Sequence, residues 1–250
     1  MNRFGICFLL LLVASAEISA AEGPCRASLS KCPKRGCAQT NTPQAFLNIA
    51  KRNLKPKGDL KLLTFDDFRS LQDQAESLFS GHYHTLTKPD RVRLRQLQVG
   101  GQTVGEGDWV EIIGYIAVKP AHSEPHPNTS GESVNCRLTG TENNDFHISL
   151  TPASGQSEYE GIVVEMVPQQ RNEKWTAARL RDIQQQRRQV RVRGQLYFDN
   201  HHYVNDDAAH NLSNQPKRIS LWEVHPVTEF DVCTLPSCGA NGSGWKPLGE

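Results

Sequence analysis

From Trp109 to Val118 the chain reads WVEIIGYIAV, and its apolar side chains recur at every second position. Val110, Ile112, Ile116 and Val118 fall on one side, with Glu111 and Tyr115 on the other, the period of a half-buried strand. Gly114 inside the run marks a bend or bulge. Downstream, Asp145–Leu150 points Phe146, Ile148 and Leu150 inward and Asp145, His147 and Ser149 outward, and Gly161–Val167 (GIVVEMV) is a further strand. Val190–Phe198 (VRVRGQLYF) alternates again, setting Val190, Val192, Leu196 and Phe198 against Arg191, Arg193 and Tyr197. Ile219–His225 is the last strand, ended by Pro226, with a continuation at Val227–Val232. Trp175 to about Gln189 reads as a helix, with Leu180 and Ile183 one turn apart. Five strands with one internal helix match the OB-fold, a five-stranded Greek-key barrel. A β-sandwich wants about seven strands, and a parallel α/β sheet a helix after each strand. The expected class is α+β, mainly β: an OB-like barrel over residues 105–232.

Upstream, residues 22–104 form a helical, cysteine-bearing segment. Pro43–Asn53 is a short helix with Phe46, Leu47 and Ala50 on one side, broken by Lys55-Pro56-Lys57-Gly58. Thr64 is an N-cap with Asp67 three residues on. Phe65, Phe68, Leu71, Ala75, Leu78 and Phe79 then repeat at helical spacing, giving a helix over Phe65–Ser80. Arg91 to Gln98 reads as a short turn or extended lead-in. Residues 120–133 (PAHSEPHPNTSGES) form a long exposed loop, and residues 233–250 a tail with a Cys pair.

The first 21 residues read as a secretory signal peptide: Arg3, the apolar run Ile6–Ala14, then small residues. That run is too short to span a bilayer, so the expected destination is secreted or periplasmic. Beyond Cys7 the cysteines are Cys25, Cys32, Cys37, Cys136, Cys233 and Cys238, an even set that predicts up to three disulfides after export. Zinc is the rival, through CPKRGC at Cys32–Cys37, but no matching Cys or His pair follows it. Connectivity is not readable, though Cys233 and Cys238 suit a short loop and Cys136 a tether to a terminal segment. The 250 residues carry 28 Lys+Arg against 27 Asp+Glu, a net charge of +1. Gripping nucleic acid or anionic membrane through the overall field is thereby excluded, and a local patch is not.

Three strings pair a carboxylate with histidine on or at the end of a strand: Asn144-Asp145-Phe146-His147, Phe198-Asp199-Asn200-His201-His202 and Trp222-Glu223-Val224-His225-Pro226. Residues two apart on a strand share a face, so Asp145 projects with His147 and Glu223 with His225. If these strands are neighbours, Asp145, His147, His202, Glu223 and His225 converge, a set able to bind a divalent metal or to pair a base with an orienting carboxylate. His147, His225 and Glu223 are then the catalytic candidates. The competing account is a set of ordinary cross-strand pairs, each contributing about 0.2–1 kcal/mol. A second signal is basic: Arg171, Lys174, Arg179, Arg181, Arg187, Arg188, Arg191 and Arg193 lie close together, near Trp175 and Tyr197. Arg179, Arg187, Arg191, Arg193 and Tyr197 would suit a polyanion through charge and stacking, or simply keep a helix face solvated. His82, His84, His122 and His126 lie in loops and are expected to face solvent.

The strings GESVNC (131–136), NDFHISL (144–150), VRVRGQLYFD and WEVHPVTEFDV (222–232) resemble a group of exported, largely uncharacterised bacterial proteins. The resemblance spans about residues 105–232. It implies an OB-like body and transfers no catalytic residue. Staphylococcal-type nucleases also have an OB-type core, but their Arg and carboxylate pattern has no counterpart here. Two functions from different classes follow. One is an exported binding module for an extended oligonucleotide or oligosaccharide. The other is a metal-dependent hydrolase, of the phosphodiesterase or nuclease kind, using the His and carboxylate cluster. A structural envelope protein with neither ligand nor metal is the third.

Overall fold

A computed structural model describes residues 25, 28–118, 126–127 (backbone), 131–205 and 217–250. The expected signal segment and most of the 120–133 loop lie outside the described residues.

Five strands close on themselves: β4 (Asp108–Ile116), β6 (Phe146–Thr151), β7 (Ile162–Met166), β8 (Gln189–Phe198) and β9 (Trp222–Cys233). Around the barrel the order is β4-β8-β9-β7-β6, and Tyr115 and Ile116 of β4 pair back onto Thr151 and Leu150 of β6. All contacts are antiparallel except β7 with β9. Counting barrel strands one to five in chain order, the circuit is 1-4-5-3-2-1, and helix α4 (Ala177–Gln185) joins the third to the fourth. The expected OB-like barrel is what the chain forms. Its interior is the inward set: Val110, Ile112, Ile148, Leu150, Ile162, Val164, Val192, Leu196 and Val224, all buried.

Proline inside the last strand is accommodated rather than avoided. β9 runs unbroken through Pro226, whose peptide bond with His225 is cis; the expected stop there is a bulge instead. Arg193 pairs with Glu229, Gly194 with Val227 and Leu196 with Val224, so β9 carries one extra residue on either side of Gly194. Bulges are where a strand tolerates proline. Only glycine fits opposite: a Cβ on Gly194 would lie 2.3 Å from the Pro226 carbonyl oxygen. α4 is also shorter than expected, because Arg187 takes a left-handed conformation (φ 53°) and turns the chain into β8.

Ahead of the barrel lie α1 (Pro43–Lys51), β1 (Lys57–Leu62), α2 (Phe65–Phe79), α3 (Lys88–Arg93) and the hairpin of β2 (Leu97–Val99) and β3 (Gln102–Val104). Thr64 caps α2 in a reciprocal box with Asp67. The face carrying Phe65, Phe68, Leu71 and Ala75 joins the barrel's apolar core. β1 pairs parallel to β4, and the hairpin turns on Gly100 and Gly101, both at positive φ; the sequence pattern shows neither β1 nor the hairpin. Within the stretch expected to be loop, His126–Pro127 (β5) pairs with β6. The tail adds β10 (Trp245–Pro247), antiparallel to β9.

α1 attaches differently. Its buried Ala45 and Leu47 are outside the apolar core that α2 joins. It is held instead to the loop before β6, where its Asn48 donates to Ser133 Oγ at 3.1 Å; ahead of the helix, the Cys37 amide donates to the Ser133 carbonyl at 2.9 Å. The disulfides are Cys25–Cys37, Cys32–Cys136 and Cys233–Cys238. Cys136 thus tethers the N-terminal segment, and Cys32 and Cys37, the pair of the zinc alternative, are bonded to Cys136 and Cys25. No helix among the described residues is long and apolar enough to cross a membrane.

Two stability outcomes follow. Gly194→Ala should cost about 2 kcal/mol in a denaturant titration, because backbone must move. Removing the Cys32–Cys136 bond, which spans 104 residues, should cost about 4–5 kcal/mol on the loop-entropy account, against about 2 kcal/mol for Cys233–Cys238, which spans 5.

Candidate functional site

Alternation in three neighbouring strands sends polar side chains to the outer wall of the barrel while their neighbours fill the inside. β6 contributes His147 and, just before its first residue, Asp145; β7 contributes Glu165; β9 contributes Glu223 and His225. β8 adds Tyr197 and, beyond its end, Asp199. This outer wall is not open to water. Asp145, Glu223, His225, Tyr197 and Asp199 are each 0 % exposed and Glu165 is 1 % exposed. α1 covers part of it: Gln195 of β8 donates to the Ala50 carbonyl at 2.9 Å and accepts from Asn53 at 2.5 Å.

His225 is the hub. Its Nδ1 lies 2.9 Å from Glu165 Oε2 and 3.5 Å from Glu223 Oε2, and its Nε2 lies 3.5 Å from Asp145 Oδ2. None of these contacts is aligned as a hydrogen bond, and the two ring nitrogens, Asp145 Oδ2, Glu165 Oε2 and Glu223 Oε2 are all buried without a partner. The other oxygens are held: Asn135 donates to Asp145 Oδ1 at 3.0 Å and receives Gln169 at 2.7 Å, while Arg218 donates to Glu223 Oε1. His147 Nε2 stands 3.2 Å from Glu165 Oε1 and 3.9 Å from Glu132 Oε1, at the edge where the wall meets solvent. Arg218 also reaches Asp199 at 3.6 Å, and Asp199 in turn binds His202.

The five histidine and carboxylate candidates are therefore on one wall and in one chain of contacts, but not all in one cluster. Asp145, Glu223 and His225 meet directly. His147 joins through Glu165. His202 lies beyond Arg218, bonded to Asp199, and is no neighbour of His225. Glu165 was the residue the sequence strings passed over, although a lone acid inside the apolar run IVVEM was its signal. Lys51, Asp199 and Arg218 complete the surroundings.

Burial and like charge set the protonation. Burial, with Glu132 adding to it and His225 opposing, raises Asp145 to about 7. Burial and the neighbouring Glu165 and Asp199 also raise Glu223. For Glu165 burial acts upward, but His147 and His225 overcome it and hold the group well below the ordinary carboxylate range. Burial disfavours the charged imidazoles, yet Glu165 above all raises His147 to about 9 and His225 to about 10. Without a metal, Glu165 thus favours the protonated form of both imidazoles.

The basic stretch has a different arrangement. Arg191 meets Asp231 at 2.6 Å, and Arg193 meets Glu111 at 2.6 Å and Glu229 at 2.5 Å. Tyr197 is sealed beneath α1 and offers no ring face to a surface ligand, while Arg179 and Arg187 are exposed. Arg191, Arg193 and Tyr197 are thus paired or buried, and of that set only Arg179 and Arg187 stand open to a surface ligand. His84 is not free in solvent either: its Nδ1 is 2.9 Å from the Asn200 carbonyl and its ring packs 4.4 Å from Tyr203. His82 is exposed, His122 lies outside the described residues, and only the backbone of His126 is described.

No family model, curated protein or solved structure matches this chain.

Arg218 is the cation on which Glu223 and Asp199 depend. Arg218→Met should lose about 3–5 kcal/mol, because it strands two buried carboxylates. A double-mutant cycle with Glu223→Gln should recover more than 1 kcal/mol of that loss.

Proposed function

We propose that this protein is an exported, divalent-metal-dependent hydrolase, with the cation held by Asp145, Glu165 and His225. The observation that carries the reading is the convergence of their ligand atoms, all within 4.8 Å of one another, with Asp145 Oδ2, Glu165 Oε2 and both His225 nitrogens lacking hydrogen-bond partners. Three buried carboxylates crowding one imidazole carry a high electrostatic cost, and without a metal only that ring's protons offset it. A cation placed among them would remove that cost, and nitrogen with carboxylate oxygen suits a first-row divalent ion such as Zn²⁺ or Mn²⁺. Asn135 and Gln169 behind Asp145, and Arg218 behind Glu223, are the supporting groups such sites use to aim their ligands.

A bound cation would lower the pKa of a coordinated water and so supply a nucleophile at neutral pH. His147, 20 % exposed at the solvent edge and in contact with Glu165 and Glu132, would be the proton-transfer group of such a site. Export is supported by the apolar run Ile6–Ala14 and by three disulfides, which persist in oxidising compartments. The position on the barrel also fits. OB-folds bind ligands on the face of strands two and three, between the loops joining strands one to two and four to five. Here those strands are β6 and β7, and the two loops bring Glu132, Asn135, His202 and Arg218.

Elemental analysis of protein purified without chelator should find about one divalent ion per chain. That ion should be lost in Asp145→Asn and His225→Gln. Returning the metal at a hundred times its Kd should stabilise the stripped protein by about 2.7 kcal/mol. The loaded protein should cleave a chromogenic ester and stop on adding chelator. A chain that retains no ion and is indifferent to any ion offered would end this reading.

A further inference from the structure

Each acid around His225 turns one oxygen to the ring and has the other one occupied. Asp145 faces the ring through Oδ2, 3.5 Å from Nε2, while its Oδ1 accepts from Asn135 at 3.0 Å. Glu165 faces it through Oε2, 2.9 Å from Nδ1, while its Oε1 stands 3.2 Å from His147 Nε2. Glu223 faces it through Oε2, 3.5 Å from Nδ1, while its Oε1 accepts from Arg218. Among the described residues, none of the three oxygens turned to the ring has an aligned hydrogen bond. The occupying partners are themselves fixed. Gln169 donates to the Asn135 oxygen at 2.7 Å, the next residue, Cys136, is bonded to Cys32, and Arg218 also reaches Asp199 at 3.6 Å. A carboxylate held in this way gives a cation one oxygen; chelating through both would cost it the bond to its partner.

We propose that Asn135, His147 and Arg218 determine which metal the site takes, by holding these carboxylates to one ligand oxygen each, and that the ion they select is Zn²⁺. This deepens the metal reading and rests on it. Asp145, Glu165 and His225 then supply three ligand atoms, and Glu223 Oε2 is a fourth at most. Ca²⁺ takes about six to eight oxygens, with carboxylates often bidentate. Mg²⁺ and Mn²⁺ favour octahedral oxygen shells. Asp145, Glu165, Glu223 and His225 are all buried, so a shell that large would have to come from the protein, which does not offer it. Zn²⁺ is satisfied by four ligands of mixed nitrogen and oxygen, three side chains and one water sufficing. The selecting residues are thus not the ligands but the groups that occupy the ligands' second oxygens.

Zn²⁺, Mn²⁺ and Ca²⁺ are titrated into metal-stripped wild type, Asn135→Ala and His147→Ala. Each protein is also loaded with Co²⁺, whose visible absorption is strong when four-coordinate and weak when six-coordinate. Wild type should bind Zn²⁺, reject Ca²⁺ and give the strong Co²⁺ spectrum. Zn²⁺ outranks Mn²⁺ at most sites of this kind, so the variants carry the test. Each frees one carboxylate oxygen, so its preference for Zn²⁺ over Mn²⁺ should shrink by about tenfold or more, within the range that outer-shell partners command. Its Co²⁺ absorption should weaken as the coordination number rises. A partner that only supported the fold would lower both affinities alike and leave the ratio and the spectrum unmoved. That outcome in either variant, a weak Co²⁺ spectrum in wild type, or Ca²⁺ bound as tightly as Zn²⁺ would overturn the proposal and leave the metal reading standing. A wild type that takes up no ion would overturn both. Should Asn135→Ala fail to fold, His147→Ala, at the partly exposed edge of the wall, decides the matter.

Discussion

Carboxylates do not enter a sealed protein environment without positive charge to accompany them, and this chain seals four of them on one wall. Asp145, Glu165, Glu223 and Asp199 are each within 4 Å of a histidine or Arg218. That pairing constrains everything around it. Strand alternation must deliver the acids and bases to the same side, the loops must bring Arg218 and Asn135, and a cover must keep water out. The desolvation penalty for such ions is several kcal/mol each. An arrangement of this kind survives where stability is not the only quantity under selection, and strongly perturbed titratable groups mark functional sites for that reason.

Geometry also explains how His225 comes to be the hub. An uninterrupted strand would keep a single alternation from Trp222 to Cys233. The extra residues opposite Gly194 break that phase, so Val224 and Val227 both point into the barrel while Glu223 and His225 stay together on its outer face. A bulge beside a site re-aims side chains in this way. Gly194 and Pro226 are accordingly as much a part of the site as the groups that carry its charge.

The barrel was legible because its strands follow a strict period of two and its one internal helix a period near 3.6. Asp145, His147, Glu223 and His225 were legible because acid and imidazole alternate within short strings. Glu165 was harder: it stands alone, and nothing nearby in sequence marks it as facing a histidine 60 residues on. Lys51 was invisible because a lysine at a helix end is ordinarily solvated, and only tertiary folding lays α1 over β8. β1 is a polar strand and β2 and β3 have three residues each, too few for a period to show. Pro226 misled as a stop because the bulge that accepts it is made by Gly194 on the neighbouring strand.

The attachment of α1 has a bearing on how the molecule matures. The helix that roofs the wall is fastened to the loop before β6 and not to the apolar interior, and its covalent anchor, Cys136, follows Cys32 by 104 residues. In order of synthesis the roof exists long before the surface it covers. The Cys32–Cys136 bond then joins a segment made early to a loop made 104 residues later, and such a bond persists where thiols are kept oxidised.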